Sequence, residues 1–279
     1  MIDWNQLWRQ ARAEKTWQGK TKKDWNERAA GFAKRHVDSD YVREFIDRLS
    51  LDSGMTVLDV GAGPGSLAIP VAKQVKSVSA VDFAPQMLAI LHKRALEEGL
   101  SNITTIEGSW EDDWQALGIV PHDLVIASRS MGVDDLRGAL EKLQAFARQR
   151  VIIGDRVGSG PFDPALFDAV GREFKPGPDY IYTVNILYQM GIHAHVDFIN
   201  LSPSRTYETR REARDSCSWM LGDLTPAEDL KLQSHLEGRV RQNIDGRWTL
   251  MNEVCPKWAI ISWSKPDKPE KALTPHEGV

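Results

Sequence analysis

The sequence predicts an α/β fold built on a doubly wound, mainly parallel sheet. Three observations carry this. Residues 55–155 alternate short strand-like runs with amphipathic helical runs, the order that places helices on both faces of a parallel sheet. The first run, Thr56-Val57-Leu58-Asp59-Val60, has apolar residues on both faces, as a strand covered on both sides requires. It leads straight into Gly61-Ala62-Gly63-Pro64-Gly65, and helical spacing follows from Ser66. A glycine-rich turn at that point lets the backbone bend sharply and bring the amides of a helix N-terminus close to a ligand.

The elements can be taken in order. Residues 1–50 read as helical. Trp4, Leu7, Trp8 and Ala11 form one apolar stripe; Trp25, Ala29, Phe32 and Ala33 form a second; Val42, Phe45, Ile46 and Leu49 form a third, stopped by Asp52-Ser53-Gly54. Strands are predicted at 56–60, 77–82, 102–107, 122–128 and 150–155, with helices at 65–75, 85–98 and 133–148. The link 110–120 has room for a brief helix only. Beyond 155, two Gly/Pro loops bracket a short helix, 179–190 reads as helix, 196–201 as strand and 257–263 as a last strand. Thr225-Pro226-Ala227-Glu228 is a capping box with proline at the first helical position, so a helix starts there and runs to about 243. The domain reading is a helical lid at 1–50, a core domain at 51–264 with a helical insertion at about 160–195, and a disordered tail at 265–279.

Composition excludes several function classes. With 42% hydrophobic and 27% charged residues the chain has the make-up of a globular protein. A net charge of −4 gives no general attraction to nucleic acid, so no nucleic-acid partner is expected. Cys217 and Cys255 make neither a disulfide framework nor a zinc pattern, and no metal is expected. No apolar run is long enough to span a membrane, and Met1-Ile2-Asp3-Trp4 lacks the order of a signal peptide, so a cytoplasmic location is expected. A homodimer is left open.

Spacing narrows the ligand. In the dinucleotide fingerprint the third glycine stands three residues after the second; here Gly65 stands two after Gly63. Asp59 precedes the first glycine by two residues, where a carboxylate repels a pyrophosphate but suits a ligand carrying an ammonium group. A second strand, Val78-Ser79-Ala80-Val81-Asp82, ends in an acid 17 residues after Gly65, able to accept both hydroxyls of a ribose. The pattern D-x-G-x-G-x-G followed by that second acid resembles the class I S-adenosylmethionine-dependent methyltransferases.

That resemblance implies a Rossmann-like seven-stranded sheet, S-adenosyl-L-methionine as cofactor and S-adenosyl-L-homocysteine as product. It implies roles at matching positions. Gly61, Ala62, Gly63 and Gly65 would pass beneath the methionine part and ribose; Asp59 would sit near the amino group; Asp82 would take the ribose hydroxyls. Phe83 and Met87 would lie on the two sides of the adenine. The family's acid after the third strand is absent, since the text is Gly108-Ser109-Trp110, so Ser109 and the Trp110 backbone would recognise the adenine, with Glu111 or Asp112 as the alternative. Ser128 would line the cofactor cavity, and Trp25 and Arg28 would close over it from the lid.

The acceptor side is less legible. Arg129, at the end of the fourth strand, is placed to hold a carboxylate or phosphate, or else to pair with Asp134 or Asp135. His193, with His195 two residues on, and Tyr188 are the other candidates for chemistry. The function expected is methyl transfer to a small molecule beneath a roof formed by 1–35 and 179–195. An RNA or protein methyltransferase, or a non-catalytic S-adenosylmethionine-binding regulator, are the alternatives.

Overall fold

The computed structural model describes residues 2–17, 19, 21–27, 29, 39–202, 204–251 and 255–265. The elements are α1 (Trp4–Glu14), a helical stretch at 22–27, α2 (Asp40–Asp47), β1 (Thr56–Val60), α3 (Ala68–Ala72), β2 (Ser77–Asp82), α4 (Pro85–Glu97), β3 (Ile103–Glu107), β4 (His122–Ser128), α5 (Leu136–Phe146) and β5 (Ala147–Arg156). They continue with α6 (Pro164–Val170), α7 (Tyr180–Gln189), β6 (His195–Asn200), β7 (Ser204–Tyr207), α8 (Arg210–Leu221), α9 (Pro226–Glu237), β8 (Val240–Gln242), β9 (Trp248–Met251) and β10 (Lys257–Ser264).

Seven strands form one sheet in the order β3-β2-β1-β4-β5-β10-β6. The first five are mutually parallel, and β10 runs antiparallel between β5 and β6. The order reverses between β1 and β4, so a cleft opens at the carboxyl ends of those strands, directly beyond the glycine turn. Alternation along each strand feeds two cores. On one face Leu58, Val125, Ile153 and Ile261 meet Leu140 and Leu143 of α5, Ile186 and Leu187 of α7 and Trp8 of α1. On the other, Val57, Ile126, Ile152 and Ile260 meet Phe45 of α2, Val71 of α3 and Leu91 of α4. Burying each such side chain contributes about 1.5–3 kcal/mol.

A second core lies outside this sandwich. Phe162, Leu166 and Phe167, around and within α6, pack with Cys217 of α8, Leu232 and Leu236 of α9 and Leu250 of β9. Its three-stranded antiparallel sheet, β7-β9-β8, is inserted between β6 and β10. Arg172 fastens it, donating to both carboxylate oxygens of Glu228 and to the carbonyls of Leu221 and Asp223.

The helical insertion expected at about 160–195 is therefore corrected. Its second half, α7, belongs to the sheet's own helical layer, because Ile186 and Leu187 are fully buried against it. The added unit is made of the segment around α6 together with 204–251, and contains a sheet. The expected tail, 265–279, lies outside the described residues from 266 on, as does Arg28.

Candidate active site

The glycine turn is shaped by what surrounds it. The amides of Gly61 and Ala62 both donate to the Val81 carbonyl, folding the chain back over the end of β2. All three glycines have positive φ. A Cβ on Gly61 would come within 2.3 Å of Ser130 Cβ, and one on Gly65 within 2.8 Å of Leu91 Cγ. Gly61 thus lets the end of β4 close on the turn, and Gly65 lets α4 pack beneath it. A Cβ on Gly63 would meet nothing within 4 Å. That position faces the open cleft.

Two carboxylates flank the turn. Asp82 accepts from the Gly63 amide through one oxygen and from the Ala84 amide through the other, each at 2.8 Å. A carboxylate has about four lone-pair sites, so two remain for hydroxyl donors. Burial pushes its pKa up, while the two amides pull it down. Asp59, at the end of β1, is 2% exposed. Burial first, and then the charge of Asp82, push it up to about 7, against the pull of the Ala68 amide. Among the described residues two buried side-chain polar atoms have no hydrogen-bond partner, Asp59 Oδ2 and Ser66 Oγ. Both belong to the strand–turn unit itself. An orphaned buried carboxylate oxygen costs about 1–3 kcal/mol or more, which a cationic ligand would offset.

Beside Asp82, Met87 packs with Ala84, Ala29, Ile90 and Trp25. The Asn26 side chain accepts from the Gln86 amide at 3.1 Å, and Lys22 reaches Glu107 at 2.6 Å. Residues 21–27 therefore sit across the start of α4 and the end of β3. Phe83 is only half-buried. On the far side, the Trp110 indole donates to the Ser130 carbonyl at 3.1 Å, and the Ser130 hydroxyl donates to the Val60 carbonyl at 2.7 Å. Trp110 is thereby anchored to the wall of the glycine turn. At the end of β4, Ser128 shares a 2.7 Å hydrogen bond with the Tyr41 hydroxyl. Arg129 adopts φ 58° and lays its guanidinium 4.3 Å from the Tyr41 ring centroid and 5.7 Å from that of Trp258.

A methyltransferase-domain family model matches residues 57–150, the stretch that holds the glycine turn, both acids and Arg129. A protein of Haemophilus influenzae whose function is uncharacterized is 33% identical over 243 residues, covering 86% of this chain and 88% of its own. The chain belongs to the class I S-adenosylmethionine-dependent methyltransferases. A probable ribosomal RNA small subunit methyltransferase A of Methanosphaera stadtmanae is 31% identical over 71 residues, 25% of this chain and 26% of that one. A solved structure of a putative methyltransferase from Bacillus halodurans superposes with a TM-score of 0.57 at 13% identity, over 82% of this chain and all of that one, and so shares the fold.

The residues of this methyltransferase fit S-adenosylmethionine. Asp59 offers a buried carboxylate oxygen without a partner to a cationic cofactor, Asp82 keeps acceptor sites for the ribose, and the space over Gly63 is clear of protein.

Four readings from sequence change. The Ser109 amide donates to Asp112 at 2.7 Å, its carbonyl accepts from the Trp114 indole and its hydroxyl accepts from the Glu111 amide. Ser109 is thus engaged by its own loop, and Asp112 is turned onto that loop rather than into the cleft. Asp134 and Asp135 hold Arg12 and Arg9, and Arg129 stacks instead on the Tyr41 and Trp258 rings. His193 and His195 belong to the approach and start of β6, the edge strand, four strands from β1 and so about 19 Å away. His195 is also level with Ser262 and Ile152, well below the carboxyl end of β5. Tyr188, 67% exposed, stacks edge-on against His193 at 5.7 Å. Neither Tyr188 nor His193 can reach the cleft. Tyr41, Ser130 and Trp258 were not singled out from the sequence; Tyr41 directly precedes the third N-terminal stripe, which is the one signal that pointed toward it.

Among the described residues no cluster of three metal-ligating side chains exists and no helix is long and apolar enough to cross a membrane.

Proposed function

We propose that the chain transfers the methyl group of S-adenosylmethionine to a small molecule. The cofactor supplies an electrophilic methyl carbon, so the protein's task is to orient the acceptor, exclude water and hold charge. Asp59 and Asp82 would hold the cationic and ribose parts; Gly61, Ala62, Gly63 and Gly65 would pass beneath them; Phe83, Met87 and Trp25 would border the adenine. Ser128, Arg129 and Tyr41 would line the side from which the acceptor enters. The observation that carries the cofactor half is the orphaned Asp59 oxygen beside an open glycine turn. The observation that favours a small acceptor is the added unit, whose core hangs from the carboxyl ends of β5 and β6 and walls the acceptor side.

The test is a transfer assay with methyl-labelled S-adenosylmethionine against a small-metabolite extract and against total RNA and protein from the same cells. Label in the small-metabolite fraction is the expected result. Label in RNA or protein alone would sink the reading, and the local likeness to a ribosomal RNA methyltransferase would then carry weight.

A further inference from the structure

Two cations stand together on the acceptor side, and among the described residues neither makes an ion pair within 4.0 Å. Arg156 is the last residue of β5, two beyond Gly154, which is level with Ser128 at the end of β4. Its Nε donates to the Pro178 carbonyl at 2.8 Å, and its guanidinium lies 5.1 Å from the centre of the Trp17 ring. Lys15, just past the end of α1, places Nζ 4.1 Å from the same ring and donates to the Trp17 carbonyl at 3.1 Å. The ring itself is pinned. Its Nε1 donates to the Pro176 carbonyl at 2.8 Å, and Phe162 packs 4.8 Å away. A Cβ on Gly177 would lie 3.1 Å from Lys15 Cβ and 3.2 Å from an Arg156 terminal nitrogen, so the two side chains converge over that glycine.

The charges of Asp155 and Asp179 favour the Arg156 cation, but the hydrogen bonds of the nearby acids go elsewhere than to the two cationic heads. Asp155 accepts from the Arg156 amide and the Thr183 hydroxyl. Asp179 accepts from the amides of Gly158 and Ile181. Asp134 holds Arg12. No carboxylate oxygen of the described residues lies within 4.0 Å of a Lys15 or Arg156 side-chain nitrogen. Both cations are half-buried. Burial, and then the charges of Arg12 and Arg156, hold the Lys15 pKa below its usual value. Two half-buried like charges that repel each other are costly, and an anion placed between them would offset that cost.

We propose that Lys15 and Arg156 form an anion subsite that holds a carboxylate or phosphate group of the methyl acceptor. This rests on the small-molecule reading above and adds the substrate class to it. β5 lies two strands from β1, about 10 Å across the cleft. An acceptor anchored there by its anion would therefore extend over Ser128 and Arg129 toward the space above Gly63. Fixing one charged end of the acceptor orients its other end, which is what an in-line displacement demands.

The test is protection of Lys15 against acetylation by an activated acetate ester at mildly alkaline pH. It uses the full chain saturated with S-adenosylhomocysteine and is read residue by residue by mass spectrometry. The probes are inorganic phosphate, benzoate and, as a neutral control, glycerol. Phosphate or benzoate should slow Lys15 acetylation severalfold while leaving the exposed Lys23 unaffected, and Arg156→Gln should abolish the protection. Protection by phosphate alone assigns a phosphoryl acceptor, and protection by benzoate alone a carboxylate. Equal Lys15 rates with all three probes would overturn the subsite. Lys15→Gln, just past the end of α1, avoids a folding failure at Arg156. It should raise the acceptor KM about tenfold with kcat unchanged. An unchanged KM for a small acceptor would defeat this proposal and leave the small-molecule reading standing; label found only in RNA or protein would defeat that reading instead.

Discussion

Replacing Gly61 by alanine separates the structural demand of the turn from its ligand demand. Gly61 has φ 75°, and a side chain in the left-handed region costs about 1–2 kcal/mol. The new Cβ would also stand 2.3 Å from Ser130 Cβ. Ser130 cannot easily retreat, because its hydroxyl donates to the Val60 carbonyl at 2.7 Å and its own carbonyl accepts from Trp110 at 3.1 Å. Forcing one extra carbon into such a contact costs about 1–3 kcal/mol. The sum for Gly61→Ala is about 2–5 kcal/mol. Gly63→Ala meets φ 55° but no neighbouring atom within 4 Å, so it should cost only about 1–2 kcal/mol. Urea unfolding of the cofactor-free proteins, followed by circular dichroism, measures both. Gly63→Ala should instead lose cofactor affinity, since its Cβ projects into the cleft. Equal destabilisation by the two substitutions would refute the reasoning, because it would mean that Ser130 does not close on the turn.

Asp82→Ala should weaken S-adenosylhomocysteine binding by about 2–4 kcal/mol in calorimetry, since it removes the acceptor of charge-assisted bonds worth about 1.5–3 kcal/mol each; an unchanged affinity in a folded variant would exclude Asp82 from the ribose site. Asp59 has a folded pKa of about 7 against an ordinary 3.8, so the folded chain binds its proton more tightly than the unfolded chain does. Cofactor-free stability should therefore fall as pH rises between those values and level off above about 7, and Asp59→Asn should flatten that slope in denaturant titrations. Glu228 is held down to about 2, by the Arg172 bond first, so its contribution is present above the ordinary carboxylate range and lost as pH falls toward 2. Arg172→Met should loosen α9 and the added sheet, seen as faster hydrogen exchange at 204–251 with the glycine turn unchanged.

The seven-stranded sheet was legible because its strands follow a simple rule. β1 and β2 fall at their predicted residues, and α4, α5 and β10 shift only at their ends. Periodicity and burial agree there, so local preference and tertiary context give the same answer. The added sheet was not legible for the opposite reason. β8 is three residues long and β7 and β9 four each, too short for a sustained apolar period, while the buried stripe of α8, Ala213, Cys217, Met220 and Leu221, stands among arginines and acids. A signal for that sheet was Asp245-Gly246, a turn dipeptide between Gln242 and Trp248 that marks a hairpin. At the site, the places of Asp59 and Asp82 beside the glycine turn were readable because they follow from strand ends and spacing. Ser109, Tyr188 and His193 misled because loop hydrogen bonds and strand order are not written in local sequence. Tyr41 meets Ser128, and Trp17 and Lys15 meet Arg156, only through long-range packing of the N-terminal segments.

The cofactor these residues select is an adenosyl sulfonium and not a dinucleotide. Calorimetric titration of the wild-type chain with S-adenosylhomocysteine and, separately, with NAD tests it. The orphaned Asp59 oxygen, the shortened glycine spacing and the two free acceptor sites of Asp82 predict saturable binding of the adenosyl ligand and none of comparable strength for NAD. Tight binding of NAD with no heat from S-adenosylhomocysteine would contradict it.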